Sequence, residues 1–234
     1  PSQSLKEEIT KFGYIDKRQV EVVPICIPDN TRQSKDEARQ SLIDKYDLPT
    51  DVIISITSGR LVEQKGHEFL IEAAVEVVSK YPQIRFLLLG DGHLEEFLKQ
   101  KIKQYKLEPN FIFAGMQDNI DLELNGADIM IHPSRKEPFG IAVLESMRSG
   151  LPIVASKVGG IPEVVSEGEC AFLTEVGDYK ILAHKIIELL DNPDKMTSMG
   201  LKGRERYERV FKLDNMIDQL EKIYNEVVNP VKLH

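Results

Sequence analysis

A doubly wound α/β domain, with helices covering both faces of a parallel sheet, is predicted by three features of the sequence. Helical and extended patterns alternate almost without interruption through residues 35–190. The extended runs are apolar at consecutive positions, as in VIISIT (52–57) and IRFLLL (84–89), which is how strands buried on both faces read. No repeat or flexible linker divides the chain, so one layered unit is expected.

The elements follow in order. SQSLKEEITKFG (2–13) reads as a helix with a serine cap and a glycine stop. Residues 20–23 read as a short strand, and Lys35–Tyr46 as a charged amphipathic helix. VIISIT is a β-branched run between Asp51 and Gly59, hence a buried strand. His67–Lys80 places Phe69, Leu70, Ala73, Ala74, Val77 and Val78 at helical spacing, and IRFLLL is a second buried strand. A helix at 93–105 and strands at 111–113 and 129–131 come next. The rhythm continues with a helix at 141–149, a strand at 153–155, a short helix near Pro162 and a last strand at 171–173. Residues 180–190 are helical, and 194–228 read as two helices broken near Leu213.

Composition narrows the function. The chain has 234 residues, 41% hydrophobic and 29% charged, which suits one large soluble α/β domain, alone or with added helices. No apolar run approaches the ~20 residues a membrane helix needs. A net charge of −8 argues against nucleic acid as the main partner, because neutralising phosphates takes a basic face. Cys26 and Cys170 lie far apart without metal-ligand spacing, so they read as small core residues, and no metal site is expected. A reducing, cytoplasmic setting is the simplest inference. Residues 1–13 are polar and mixed in charge, unlike a leader, and look like an interior element, so an excised fragment is expected.

In open α/β sheets the ligand sits at the carboxyl ends of the strands, which directs attention to three loops. After VIISIT comes Ser58-Gly59-Arg60-Leu61-Val62-Glu63-Gln64-Lys65-Gly66. Its Arg fork and Lys point charge suit a diphosphate, although a solvated basic loop fits the segment equally well. There is no Gly-Lys-Ser/Thr, so P-loop chemistry is not indicated. After IRFLLL, Gly90-Asp91-Gly92 is followed by His93-Leu94-Glu95, which fails the dinucleotide fingerprint and weakens an NAD reading; alone it is a plain turn. The third loop, Arg135-Lys136-Glu137-Pro138-Phe139-Gly140-Ile141, runs into a helix carrying Glu145. That helix start offers free N–H groups to an anion. Glu145, facing the cleft, would accept bonds from a ribose diol; a solvated helix glutamate is the commoner case. The two glutamates stand eight residues apart, ~12 Å on a straight helix, against the about 5–9.5 Å of glycosidase carboxylates. Pro138 and Gly140 bend the segment, so the distance does not decide, but two cations and a helix N-terminus nearby suit a nucleotide better than a polysaccharide.

The segments SGRLVEQKG, LLLGDG, EPFGIAVLE and GGIPEVV together resemble, in order and spacing, the family-4 retaining glycosyltransferases of the GT-B fold, with a Glu and a second Glu separated by seven residues. The matched stretch runs from Ile53 to Val165 and extends more weakly to the tail. The resemblance implies that Arg60 and Lys65 hold the donor diphosphate and that Glu145 binds the ribose hydroxyls. It sets Glu137 near the transferred sugar, with Phe139, Gly140 and Ile141 as the backbone stretch contacting sugar and phosphate, and Gly115 in the loop bordering the base; Gly59 and Gly90 are further expected donor-binding positions. On this reading Arg60, Lys65 and Glu137 are the catalytic group.

The same resemblance makes residues 1–234 a C-terminal donor-binding domain. Residues 194–234 would be helices that return to an N-terminal acceptor domain absent from the sequence. The intact enzyme would move a sugar from a nucleoside-diphosphate sugar, a UDP-sugar as first guess, to an unidentified acceptor hydroxyl with retention and no cofactor. The pair of cations and the lack of a DxD triplet make a divalent metal unnecessary. The fragment alone would bind nucleotide and transfer nothing. A nucleotide-sugar epimerase of the same architecture and an inactive nucleotide-sugar-binding regulatory module are the alternatives. The chain departs from the family at Pro24-Ile25-Cys26-Ile27-Pro28, where a Pro-Asn-Gly turn is usual. The family's catalytic histidine belongs to the absent domain; His67, His93 and His132 read instead as surface or strand-end residues. Lys202, Arg204, Arg206 and Arg209 leave peripheral membrane association open beside a solvated helix face.

Overall fold

Six strands form one parallel sheet in the order β3-β2-β1-β4-β5-β6. They are β1 (Ile53–Ser58), β2 (Ile84–Leu89), β3 (Phe111–Gly115), β4 (Ile129–His132), β5 (Ile153–Ser156) and β6 (Ala171–Thr174). The helices are α1 (Gln3–Thr10), α2 (Lys35–Tyr46), α3 (His67–Lys80), α4 (Glu95–Gln104), α5 (Asp121–Gly126), α6 (Ile141–Arg148), α7 (Ile161–Val164), α8 (Tyr179–Leu190), α9 (Pro193–Arg206) and α10 (Leu213–Val228). This computed structural model describes residues 2–11, 13–29 and 33–228. Phe12 within the first expected element and the expected tail at 229–234 lie outside those residues.

The doubly wound prediction holds, and side-chain alternation explains it. On β2, Ile84, Phe86 and Leu88 enter one core while Leu87 and Leu89 enter the other. On β4 and β5, Met130, Ile153 and Ala155 face the second core, and Ile129, Ile131 and Val154 the first. With side chains of period two and both faces apolar, a strand must be covered twice. The first core is closed by α3, α4 and α8 through residues such as Leu70, Leu98 and Ile186. The second is closed by α2, α5 and α6 through Leu42, Leu124 and Leu144. Each such side chain, fully buried, contributes about 1.5–3 kcal/mol of transfer free energy.

Local signals set the helix starts. Ser34 caps α2 in a reciprocal box with Glu37, and Ser2 accepts from the Leu5 amide at the start of α1. The tail divides where expected: α9 passes through a π-turn at Tyr207–Phe211 and ends before Leu213. Tyr207 is fully buried with its hydroxyl donating to the Ile27 carbonyl at 3.0 Å, and Phe211 meets Phe139 edge-on at 6.3 Å. Cys26 and Cys170 are buried free thiols, as the sequence suggested.

Two expectations need correction. Residues 20–23 form no strand. The sheet's outer strands are β3 and β6, and Val22 and Val23 instead line a surface groove with Ile223 and Val227 of α10. His67 is neither surface nor strand end; it opens α3 and is only 1% exposed. The short helix α5 is an addition. Its residues, DLELNG, show no helical apolar repeat, and Leu124 secures it by packing into the second core.

Candidate functional site

The strand order reverses between β1 and β4, which both lie at the centre of the sheet, and a reversal of this kind is where the topology rule puts a ligand crevice, outside the carboxyl ends of the strands. The loop after β1 carries Arg60 and Lys65; the loop after β4 carries Glu137 and leads into α6. Backbone bonds join the two loops, with the amides of Arg135 and Lys136 donating to the Gln64 carbonyl at 2.8 and 3.2 Å. Lys65 Nζ then meets Glu137 Oε2 at 2.6 Å. Arg60 is exposed and makes no side-chain hydrogen bond or ion pair among the described residues. It is therefore available to an anion, whereas Lys65 is shared with Glu137.

The neighbouring glycines permit this closeness. A Cβ on Gly90 would stand 2.3 Å from the Gly59 carbonyl oxygen, so the loops after β1 and β2 touch through bare backbone. The Gly59 and Leu61 amides bond to the Leu89 and Asp91 carbonyls at 2.9 and 2.7 Å. Gly115 ends β3 and accepts from the Gly90 amide at 2.8 Å, carrying the same contact one strand further out. On the other side, a Cβ on Gly159 would lie 1.9 Å from the Glu137 carbonyl oxygen, which also accepts from the Gly160 amide at 3.0 Å. The GGIPEVV segment thus backs the glutamate loop.

Glu137 is 9% exposed and lies in a buried polar group. His132 Nε2 stands 2.9 Å from the same Oε2, and Ser134 Oγ is 3.0 Å from that nitrogen. Burial alone would raise the Glu137 pKa. The bonds from His132 and Lys65 outweigh it and hold the carboxyl at about 2, so it is ionised throughout the neutral range. Burial lowers the His132 pKa against the opposing pull of Glu137. His67 is lowered to about 4, by burial first and then by His132 and Lys65.

Gly140 is the cap residue of α6, at φ 104°, and no side chain caps the helix. The first amides of α6 therefore have no side-chain acceptor, an arrangement that suits an anion. Phe139 contributes backbone only, since its ring is buried against Phe211. The Ile141 side chain, by contrast, is 47% exposed at the helix start. Glu145, in the second turn, is half-buried and its carboxylate has no partner among the described residues. Burial raises its pKa, Arg148 opposes this and Asp121 adds to it. Arg148 is itself committed to Asp121 and to the Pro28 carbonyl, so it does not neutralise Glu145 by direct contact.

The structure brings Lys65 and Glu137 into contact and sets Arg60, Gly140 and Glu145 on the elements bordering one crevice. His132, read from the sequence only as a surface or strand-end residue, joins that site, as do Ser134, which drew no comment, and Gly159, which the sequence offered only as part of the GGIPEVV match. The spacing His-Pro-Ser ahead of Glu137 was the available signal. His93 is exposed beside Glu63, as expected of a surface residue.

Residues 38–206 match the family described as "Glycosyl transferases group 1". The chain belongs to that family. Among curated relatives, this group 1 glycosyltransferase domain is 33% identical over 227 residues to N-acetyl-alpha-D-glucosaminyl L-malate synthase of Bacillus anthracis, covering 97% of this chain and 56% of the relative. In fold it resembles a glycosyltransferase from Rickettsia africae, with a TM-score of 0.89 at 22% identity over 98% of this chain and 62% of the other. It likewise resembles Anabaena Alr3699/HepE in complex with UDP, with a TM-score of 0.88 at 24% identity over 96% of this chain and 62% of the other. The domain therefore spans a little over half the length of these proteins. Its solved neighbours are GT-B glycosyltransferases, and the Rossmann-like sheet with added C-terminal helices is the architecture they share with it.

The basic tail residues divide in two. Arg204 is paired with Asp29 and Glu208 and donates to the Arg148 carbonyl, and Arg206 donates to the carbonyls of Glu163 and Val164. Both serve to fasten α9, which leaves Lys202 and Arg209 without such bonds among the described residues. No described helix is long and apolar enough to cross a membrane.

Proposed function

We propose that this domain binds the nucleoside-diphosphate sugar of a family-4 retaining glycosyltransferase, with a UDP-sugar as the first donor to test. The observation that carries the reading is Arg60, exposed and unpartnered among the described residues, on the loop that also holds Lys65, together with the uncapped start of α6. Breaking the glycosidic bond to a diphosphate builds negative charge on the leaving group. Arg60, Lys65 and the first amides of α6 are fixed donors for that charge, and preorganised donors need no reorganisation as it develops. Glu145, free and half-buried, suits the ribose diol; Glu137, already ionised, suits a sugar hydroxyl as an acceptor. The chain's own residues thus supply a cationic cradle that does not call on a metal.

The 33% identical relative is named N-acetyl-alpha-D-glucosaminyl L-malate synthase, and the structure of HepE holds UDP; both are consistent with a UDP-sugar donor here. The acceptor would be engaged by the remaining length that the relatives possess and this chain does not span. Calorimetric titration with UDP, GDP and ADP, each with and without EDTA, tests the reading. Selective, EDTA-insensitive binding of one nucleotide supports it and names the base. Binding of none, or binding abolished by EDTA, counts against the site as drawn.

A further inference from the structure

His132 ends β4, is 1% exposed, and has no place in the cradle for the diphosphate. Its Nε2 stands 2.9 Å from Glu137 Oε2. An ionised carboxylate only accepts hydrogen bonds, so that nitrogen must carry the proton and the ring must be the Nε2–H tautomer. Lys65 Nζ reaches the same oxygen at 2.6 Å. Both donors therefore converge on Oε2, while Oε1 has no partner among the described residues and is not sealed from solvent. Ser134 Oγ, 3.0 Å from Nε2 and fully buried, completes the group from the side.

We propose that His132 is a positioning residue for Glu137, holding Oε2 through its Nε2–H so that Oε1 is presented to a hydroxyl of the donor's sugar. This rests on the reading of the site as a sugar-nucleotide pocket. Lys65 alone is a poor anchor for such a task, because its ammonium is also wanted by the diphosphate and sits on a flexible stem. The imidazole is enclosed at the end of a central strand, and among the described residues only the neutral Ser134 hydroxyl shares its Nε2–H with the carboxylate. When a diphosphate draws Lys65 away, His132 is the bond that keeps the carboxylate in place.

The test compares affinity for UDP with affinity for UDP-glucose and UDP-N-acetylglucosamine in the wild-type chain, His132→Phe and His132→Gln. Glutamine keeps an N–H donor near the Nε2 position, whereas phenylalanine keeps the volume and loses the bond. The expected result is that His132→Phe leaves UDP affinity within about twofold but lowers the ratio of UDP-sugar to UDP affinity about tenfold, the size of one charge-assisted bond. His132→Gln should recover most of that ratio.

A ratio unmoved in His132→Phe, or an equal loss in both folded variants, would overturn the positioning role while leaving the nucleotide reading intact. Failure of the wild-type chain to bind any of the three ligands would overturn the donor reading and this proposal with it. Should His132→Phe not fold, nitrogen-15 spectra of the wild-type histidines still decide the matter. An Nε2–H tautomer for His132 at neutral pH is required, and an Nδ1–H tautomer would overturn the assignment.

Discussion

Lys65 and Glu137 are 72 residues apart in the chain and meet at 2.6 Å, joining the loop after β1 to the loop after β4 across the reversal point of the sheet. The pair is largely enclosed, its side chains 23% and 10% exposed, so loss of either partner leaves a poorly solvated charge. A double-mutant cycle with Lys65→Met and Glu137→Gln should give a coupling energy of about 1–3 kcal/mol in chemical denaturation. Simple additivity would mean that the contact does not persist in solution. The same pair predicts a gain: Glu137→Gln removes a competitor for the ammonium and a negative charge beside the diphosphate cradle. UDP affinity should then rise roughly three- to tenfold.

Arg60 has no comparable rival. Because it is exposed and unpartnered among the described residues, Arg60→Ala should leave the denaturation midpoint almost unchanged, as surface substitutions generally do. It should still weaken UDP binding about tenfold or more, the worth of a charge-assisted bond to phosphate. Calorimetry on the variant checks both at once. Full affinity in a folded Arg60→Ala protein would take the residue out of the cradle.

Glu145 is placed to distinguish nucleoside from phosphate. Its carboxylate is half-buried without a partner among the described residues, and burial raises its pKa, so neutralising it costs the fold little. Glu145→Gln should reduce UDP affinity several-fold and leave binding of pyrophosphate unaltered, as measured by competition. Parallel losses for the two ligands would move Glu145 off the ribose.

The sequence revealed the frame better than the contacts. β2, α2 and α3 were legible to the residue, because IRFLLL is apolar on both faces and the two helices carry strong caps or strong apolar spacing. Residues 20–23 misled because a β-branched run signals an extended chain but not a partner, and only the sheet decides whether a strand edge is available. α5 was invisible since tertiary packing of Leu124, not periodicity, holds it. At the site, the cations and the two glutamates stood out by type and spacing. What could not be read was that Lys65 and His132 converge on one carboxylate, with Ser134 against the His132 ring. His132 looked like a strand-end residue, and it is one, but its ring points its nitrogen at a residue five positions on through a turn that the sequence does not specify.

His67 supplies a prediction about stability. It is 1% exposed and neither ring nitrogen has a partner among the described residues, so burial holds its pKa at about 4 against the usual 6.5. Between those values the unfolded chain binds the proton and the folded one refuses it. Stability therefore rises with pH through that window, is complete above about 6.5, and is lost as pH falls toward 4. A buried imidazole with no hydrogen bond gains nothing from its polarity, and a leucine of similar volume avoids the desolvation cost. His67→Leu should accordingly match or exceed the wild-type midpoint at pH 7.5 and flatten the fall between pH 6.5 and 4.5. Glu137 does not obscure the comparison, because its stabilising ionisation is lost only lower, as pH falls from the usual carboxylate range toward about 2. Denaturation series at pH 7.5, 6.0 and 5.0 on the two proteins measure the difference. If the two curves run parallel, the proton that drives the acid loss is taken up elsewhere, and His67 must have an unrecognised partner.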